Sequence, residues 1–491
     1  MSSNTLLIEI GTEELPPTAA KDLSDSLANS VSTQLSEAGF TFSQVKPYVT
    51  PRRLALIISS ITSQQADQNI ERKGPAVKAA YNKDGEPTKA ALGFAKSCGV
   101  KMQDLETLES DKGAWLYFKS LVAGKSIQQV LPEIIEQGLN KLPIPKPMRW
   151  GSSEIEFVRP VHWVIVMYGS EVIPCTIKGI TASNKTYGHR FHAPSAVALS
   201  HADEYQSSLL KAKVITDFSD RQNKIRTLLD ECAAKNNADL NYSDALLEEV
   251  TNLVEWPTII VGEFSDTFLD IPQEALVATM QDAQRYFPMF SKQDGKLLAN
   301  FITIANIEST NPDTIKRGNE RVIKPRFDDA GFFWNRDKQQ TLESRTKYLQ
   351  GILFEKQLCS LLEKAQRISS LSKSLCKQIN VDDKHATRAA LLCKADLVSE
   401  MVKEFPKLQG IMGRYYAYND NEPREVANAI EEHYQPLQSG SILPSSIDGK
   451  VVALCDRIDT LVGIFATGKK PSGVKDPYAL RRAALGIIRI T

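Results

Sequence analysis

Long apolar segments are missing from this 491-residue chain. No stretch approaches the roughly 20 apolar residues that a transmembrane helix needs, so we expect no membrane partner. The first residues, MSSNTLLIEIGTEE, also lack the basic and then apolar order of a secretory signal peptide. The sequence therefore predicts a cytoplasmic protein.

Net charge and cysteine pairs are also lacking. The 59 basic residues balance 59 acidic ones, which excludes a uniformly basic protein that coats nucleic acid. A local basic face can still bind RNA within such a total. Seven cysteines are scattered without a CxxC pair, so we expect reduced thiols rather than a disulfide framework or a zinc site.

Nucleotide-binding motifs are missing as well. The chain has neither the GxxxxGK[ST] loop that cradles phosphates nor the GxGxxG turn of dinucleotide-binding folds. We therefore expect no cofactor bound by this chain.

The length and patterning predict a multidomain α+β protein, because 491 residues exceed what one hydrophobic core usually organises. Strand and helix patterns mix in residues 1–145, which end at three closely spaced prolines between 143 and 147. Strand patterns dominate the start of residues 146–325. Residues 326–491 are predicted to be all-helical.

The stretch over residues 391–416, LLCKADLVSEMVKEFPKLQGIMGRYY, organises this last region. Its apolar residues recur every three to four positions from Leu391 to Phe405, which predicts one buried helix. Asp396 lies next to the apolar face. A carboxylate there needs a partner or a metal, since desolvating it alone costs roughly several kcal/mol.

The same stretch closely resembles a signature of the beta subunits of bacterial heterotetrameric glycyl-tRNA synthetases. Seven further blocks resemble that family in the same order: EIGTEELPP (9–17), TPRRLAL (50–56), KLPIPKPMRWG (141–151), FVRPVHW (157–163), LVEWP (253–257), GNERVIKPRFDDAGFFW (318–334) and KDPYALRRAALG (475–486). The resemblance thus extends along the whole chain.

The resemblance implies a fold for each region. Residues 146–325 are expected to be similar to the editing-type domain of phenylalanyl-tRNA synthetase, and residues 326–491 to the helical HD superfamily. The family's chain continues into an anticodon-binding region that is absent here. We therefore expect a C-terminally truncated chain with weakened tRNA affinity.

HD enzymes hold a metal with a lone histidine, an adjacent His-Asp pair and a distant aspartate. Here the helix expected to supply the lone histidine, FEKQLCSLLEKAQRI, has none, and LLCKADL leaves only Asp396 of the pair. Asp456 can stand for the distant aspartate. We expect Lys394, Asp396 and Asp456 to form a degenerate, metal-free site that serves as an ion network or an RNA-facing surface. A metal held by carboxylates alone is the alternative.

The resemblance also implies a division of labour. This sequence has neither the HIGH and KMSKS pair of class I synthetases nor a class II arginine motif. In the family, the alpha subunit uses ATP and Mg to activate glycine, and the beta subunit binds and positions tRNA-Gly in a complex of two alpha and two beta chains. The chain is thus expected to be part of a glycine-tRNA ligase, inactive alone, with no catalytic residue and no DNA partner.

Arginines are the candidate contacts to RNA or to the partner subunit, because a guanidinium suits phosphate and adjacent pairs strengthen that fit. The pairs Arg52/Arg53 and Arg481/Arg482 are the leading candidates for such contacts. A solvated strand end explains the first pair equally well. The full set is Arg52, Arg53, Arg149, Arg159, Arg190, Arg321, Arg326, Arg481 and Arg482.

Two other functions fit the sequence less well. A metal-dependent HD phosphohydrolase would need the missing histidines. A stand-alone RNA-binding module would bind tRNA regardless of any alpha subunit, but the neutral total charge gives it no support.

Overall fold

The computed structural model describes residues 3–82, 85–110, 113–438, 440–473 and 475–491. It is 47% helical and 22% strand, which confirms the predicted mixture of helices and strands; the editing-like and HD-like assignments stay predictions. The chain divides into two compact units. Unit 1 comprises residues 1–228, 244–258 and 304–308, and unit 2 comprises residues 229–243, 259–303 and 309–491.

Unit 1 is built on a central sheet whose first strand contains the apolar run TLLIEIG. The strands of unit 1 are β1 (Ser3–Thr12), β2 (Gln44–Thr50), β3 (Arg53–Thr62), β4 (Gln68–Ala76), β5 (Glu106–Ser110), β6 (Gly113–Val122), β7 (Met148–Arg149), β8 (Glu156–Phe157), β9 (Val161–Tyr168), β10 (Glu171–Val172), β11 (Thr176–Ile177), β12 (Ile180–Thr181), β13 (Lys185–Tyr187) and β14 (Ala196–Ala198).

The central sheet is antiparallel, with strand order β10-β9-β1-β3-β2. Strand β1 is buried on both faces, and this explains its near-continuous apolar sequence. Gly11 lies opposite Trp163 of β9. A Cβ at Gly11 would lie 1.9 Å from the indole ring, so only glycine leaves room for this tryptophan.

Helices cover both faces of this sheet. The helices that begin in unit 1 are α1 (Ala20–Glu37), α2 (Val77–Ala80), α3 (Lys89–Cys98), α4 (Ile127–Asn140), α5 (Tyr205–Lys211), α6 (Phe218–Lys235) and α7 (Asp244–Thr251). Apolar residues of α1 and α4 share one core with Leu6, Ile8 and Ile10 of β1. On the other face, Tyr205 and Leu209 of α5 join the core that contains Leu7.

Unit 2 combines a four-stranded sheet, in the order β15-β17-β18-β16, with a helical bundle. The strands that lie wholly or mainly in unit 2 are β15 (Ala238–Leu240), β16 (Thr258–Glu263), β17 (Phe287–Ser291), β18 (Leu297–Ala305), β19 (Leu353–Glu355) and β20 (Cys359–Ser360). Its helices are α8 (Gln273–Ala278), α9 (Pro312–Asp337), α10 (Leu342–Thr346), α11 (Leu361–Ile379), α12 (Lys384–Leu392), α13 (Glu400–Glu404), α14 (Ile411–Asn419), α15 (Arg424–Glu432), α16 (Ile447–Ala466) and α17 (Leu480–Ile490).

The prediction of one helix over residues 391–416 is wrong. The segment contains the end of α12, all of α13 and the start of α14, with single 3-10 turns between them. Ser399 starts a new helix by accepting a hydrogen bond from the Val402 amide, and Pro406 cannot donate one to a continuing helix. Gly410 has φ of +83°, a conformation outside any right-handed helix.

The predicted boundaries at residues 145 and 325 do not coincide with divisions between the units. Strand β9 pairs with β1 inside one sheet, and residue 325 lies in the middle of α9. The prediction of an all-helical region after residue 326 is also wrong, since β19 and β20 form a two-stranded ribbon there.

Across the described residues, no helix is both long enough and apolar enough to cross a bilayer.

Candidate functional site

A fully buried arginine, Arg53, begins β3 in unit 1. Its Nη2 lies 3.0 Å from Oε1 of Glu255 and donates to the Tyr187 carbonyl oxygen at 2.9 Å, while its Nε donates to Thr50 Oγ1 at 3.1 Å. A second buried carboxylate, Glu9 of β1, lies 3.6 Å from Nη1. The Arg53 guanidinium therefore links β1 and β2 to the segments that contain Tyr187 and Glu255.

The two carboxylates are held by further donors. Glu9 Oε1 accepts hydrogen bonds from Trp163 Nε1 at 2.5 Å and from Thr186 Oγ1 at 2.7 Å. Burial alone would raise the pKa of Glu255, but Arg53 and Arg52 outweigh it and lower that pKa. Both Glu255 and Arg53 are thus ionised at neutral pH, as a buried pair requires.

Arg52 and Arg53 were predicted to contact RNA or a partner, and for Arg53 the structure contradicts this, because the side chain has no access to solvent. Arg52 is also committed to internal contacts. Its Nη2 donates to Glu255 Oε2 at 2.9 Å and to the Gly188 carbonyl oxygen at 2.7 Å. The adjacent pair is therefore a structural element rather than a solvated strand end.

Arg190 belongs to a partly exposed cluster around Glu13. The Glu13 carboxylate accepts a hydrogen bond from Arg190 Nη2 at 2.8 Å and lies 3.1 Å from His162 Nε2. The hydrogen bond from Arg190 lowers the Glu13 pKa. This cluster combines donors and an acceptor at a surface that a ligand can reach.

Arg149 and Arg159 make local contacts. The exposed Arg149 side chain pairs with Glu154 at 2.7 Å and Glu156 at 2.8 Å. Arg159 donates from Nε to the Glu14 carbonyl oxygen at 2.9 Å. Exposed pairs of this kind leave the charge available to a polyanion.

The remaining predicted arginines are exposed in unit 2. Arg321 and Arg326 lie on α9, and neither side chain has an ion pair or hydrogen bond with any residue that the structure describes. Arg481 and Arg482 lie at the start of α17, where Arg482 Nη1 makes one long contact of 3.5 Å to the Leu437 carbonyl oxygen. These four charges are free to meet another molecule.

A second buried ion network occupies the helical bundle of unit 2. Lys394, which follows α12, and Lys364 of α11 each lie 2.9 Å from the carboxylate of Asp456 on α16. Lys394 Nζ also lies 2.8 Å from His433 Nε2, and His433 Nδ1 lies 2.6 Å from the Ile430 carbonyl oxygen. A neutral imidazole that donates from Nδ1 and accepts at Nε2 satisfies both contacts.

The opposite charges of Lys394 and Asp456 stabilise each other's ionised forms. Burial opposes ionisation of Asp456, but Lys394 and Lys364 outweigh it and hold its pKa well below the ordinary value. Burial likewise would lower the Lys394 pKa, yet Asp456 raises it. Burial, with Lys394 beside it, lowers the pKa of His433 well below its usual range, so this histidine stays neutral.

Asp396 was predicted to share this site, and the structure places it elsewhere. Its Oδ2 accepts hydrogen bonds from the amides of Gly410 at 2.5 Å and Gly413 at 3.2 Å, at the start of α14. Burial raises the pKa of this carboxyl to about 6. Asp396 therefore closes the turn into α14, while Lys394 and Asp456 meet without it.

The donor set around Asp456 does not suit a metal cation. Two ammonium groups already contact the carboxylate and would repel a cation. In the described ranges, no group of three or more His, Cys, Asp or Glu side chains is placed to hold a metal ion.

Comparison with known proteins identifies the family of this chain. A family model described as "Glycyl-tRNA synthetase beta subunit" matches residues 6–491. The chain belongs to the glycyl-tRNA synthetase beta-subunit family. Among its relatives are proteins named "Glycine--tRNA ligase beta subunit" from Chromohalobacter salexigens and Klebsiella pneumoniae, each 47% identical, and from Coxiella burnetii, 48% identical. Each alignment covers 100% of this chain and 71% of the relative.

Three residues of this family member were missed by sequence reasoning. Glu255 lies in the LVEWP block, which was noted only as a resemblance, and its partners Arg52 and Arg53 lie about 200 positions earlier in the chain. Lys364 lies on the helix expected to supply the lone histidine, and His433 directly follows α15 as its C-cap. Only the position of Lys364, directly before Ala365 and four residues before Ile368 on the buried side of α11, offered a signal.

Replacing Arg53 tests the buried network of unit 1. Arg53→Met leaves Glu9 and Glu255 buried without their cation, so we expect the free energy of unfolding to fall by about 3–5 kcal/mol. Arg149→Met is the control, because an exposed pair contributes only about 0–1 kcal/mol. Urea unfolding followed by circular dichroism measures both; equal effects would contradict the assigned role of Arg53.

Replacing Asp396 tests its role at α14. Asp396→Ala leaves two buried amides without an acceptor and should lower the free energy of unfolding by about 1–3 kcal/mol. Asp396→Asn keeps an acceptor oxygen and removes a carboxyl whose pKa is raised from 3.8 to about 6.

The same pair of variants has a defined pH dependence. A raised pKa means that the folded chain holds this proton more tightly than the unfolded chain does. The contribution of Asp396 to stability is therefore complete below its unfolded pKa and is lost as pH rises through about 6. The Asn variant should gain stability relative to the unaltered chain from about pH 4 to about pH 7. A pH-independent difference would refute the assignment.

Proposed function

We propose that this chain is the cytoplasmic, tRNA-binding subunit of a glycine-tRNA ligase. It holds tRNA-Gly while an alpha subunit activates glycine with ATP and Mg and receives the end of the tRNA. The ligase is then a complex of two alpha and two beta chains. This chain is inactive alone.

The observation that carries the proposal is the length of the match. The relatives named glycine-tRNA ligase beta subunits are 47–48% identical over 490–491 residues, so both units are shared. An isolated resemblance within one domain would support only a common fold. Similarity throughout supports a common task.

The exposed face of α9 supports the RNA-binding part of the proposal. Arg317, Arg321 and Lys324 recur at spacings of four and three, which places them along one side of this helix. Phe332 is exposed two turns further on. Cations along a helix with an aromatic ring beside them suit phosphates and unpaired bases.

The two buried networks support a positioning role rather than a chemical one. Internal carboxylates form ion pairs with Arg53, Lys364 and Lys394. A rigid subunit can still accelerate transfer, because holding two reactants in the right geometry removes much of the entropic cost. The lysines around Asp456 disfavour the metal that a hydrolase of this type would require.

Sedimentation velocity of this chain, alone and mixed with a bacterial glycyl-tRNA synthetase alpha subunit, tests the proposal. We expect the mixture to form a faster-sedimenting species that contains both chains. The mixture should glycylate tRNA-Gly, whereas this chain alone should not.

Two results would contradict the proposal. Glycylation by this chain alone would place the chemistry here. Independent sedimentation of the two chains, with tRNA binding unaffected by the alpha subunit, would favour the stand-alone RNA-binding module instead.

A further inference from the structure

A cavity of about 400 Å³ opens beside Arg52 in unit 1. This volume is within the range of roughly 300–1,000 Å³ that is usual for small-molecule sites. The walls come from the ends of β1 and β9, from β13, and from the loop that follows β13.

Two aromatic side chains form a wall of the cavity. The rings of Trp163 and Tyr187 have centroids 5.0 Å apart and are tilted by 56°. The hydrogen bond to Glu9 fixes the indole in place. Tyr187 is 37% exposed, so one ring of the pair remains available to a planar ligand.

A buried hydroxyl also lines the cavity. Thr12 is 1% exposed, and its Oγ1 has no hydrogen-bond partner among the described residues. Leaving a buried hydroxyl unsatisfied is unfavourable. A ligand atom that pairs with this hydroxyl removes the penalty.

Arg190 lies at the rim of the cavity, where its half-exposed side chain pairs with Glu13. Arg52 lines the same opening, with its guanidinium held by Glu255 and by the Gly188 carbonyl oxygen. Glu13 is the acidic residue at the rim, and it is already held by Arg190 and His162. The opening therefore offers hydrogen-bond donors beside an aromatic wall.

We infer that this cavity holds one unpaired nucleotide of the bound RNA. The base stacks on Tyr187, a polar atom of the nucleotide pairs with the Thr12 hydroxyl, and the phosphate meets Arg190. The inference rests on the proposed tRNA-binding function and assigns to it a particular place. An aromatic wall with arginine at its edge is the arrangement by which proteins bind unpaired bases, which favours RNA over a peptide side chain.

Binding of labelled tRNA-Gly and of a short unstructured oligouridine, measured by fluorescence anisotropy at one fixed salt concentration, tests this inference. Tyr187→Ala should weaken both complexes about tenfold, whereas Tyr187→Phe, which keeps the ring, should stay within about twofold. Tyr81→Ala is the matched control, because Tyr81 is 38% exposed in the same unit. It should leave both affinities unchanged.

A second variant tests the contact to Thr12, and crosslinking tests directly where the nucleotide lies. Thr12→Val removes the hydroxyl at nearly constant volume and should weaken binding about threefold or more. Ultraviolet crosslinking followed by mass spectrometry should place a nucleotide adduct on the peptide that contains Tyr187.

The outcomes separate the inference from the proposed function. If tRNA-Gly binds but Tyr187→Ala binds equally well and the adducts lie elsewhere, the inference is overturned and the proposed function stands. If only oligouridine binds, and its binding depends on Tyr187, the cavity is a nucleotide site and the proposed function fails. If neither RNA binds, or if a peptide of the alpha subunit crosslinks at Tyr187 in place of RNA, the inference is overturned.

Discussion

The buried ion pair between Arg53 and Glu255 is the constraint on which unit 1 depends. Both groups lie out of contact with water, and an unpaired charge there would be strongly destabilising. The strand that carries Thr186 and the segment that carries Glu255 must therefore both reach the Arg53 guanidinium on the central sheet. The same carboxylate holds Arg52 at the wall of the cavity.

Unit 2 uses the same physical principle in a different scaffold. Lys364 and Lys394 come from separate helical segments and converge on Asp456, so the ammonium groups supply the positive charge within this bundle. A second carboxylate, Asp459, pairs with Lys364 at 3.1 Å and with Arg367 at 2.6 Å. The network specifies how three helical segments fit together.

The sequence predicted the regular elements whose patterns are local. Strand and helix patterns were predicted to mix in residues 1–145, where the apolar spacing is local, and the structure has β1, α1 and α4 there. Residues 391–416 were predicted wrongly because their apolar spacing is helical throughout, while Pro406 and Gly410 interrupt the backbone.

The candidate sites were harder to predict, because burial depends on contacts between distant residues. Nothing local distinguishes the buried Arg53 from the exposed Arg481, since each belongs to an adjacent arginine pair. The role of Asp396 depends on two glycine amides that lie 14 and 17 residues later. The resemblance identified the family, whereas the contacts of each charged side chain could be seen only in the folded structure.

The proposed role of this chain is to position tRNA rather than to perform chemistry, and the two steps of the ligase reaction can be measured separately. Glycine activation is followed by ATP–pyrophosphate exchange, and transfer by single-turnover glycylation of tRNA-Gly, each with the alpha subunit alone and with this chain added. For a positioning role, we expect that adding the chain accelerates transfer strongly and changes exchange little. An equal acceleration of both steps, or of exchange alone, would contradict it.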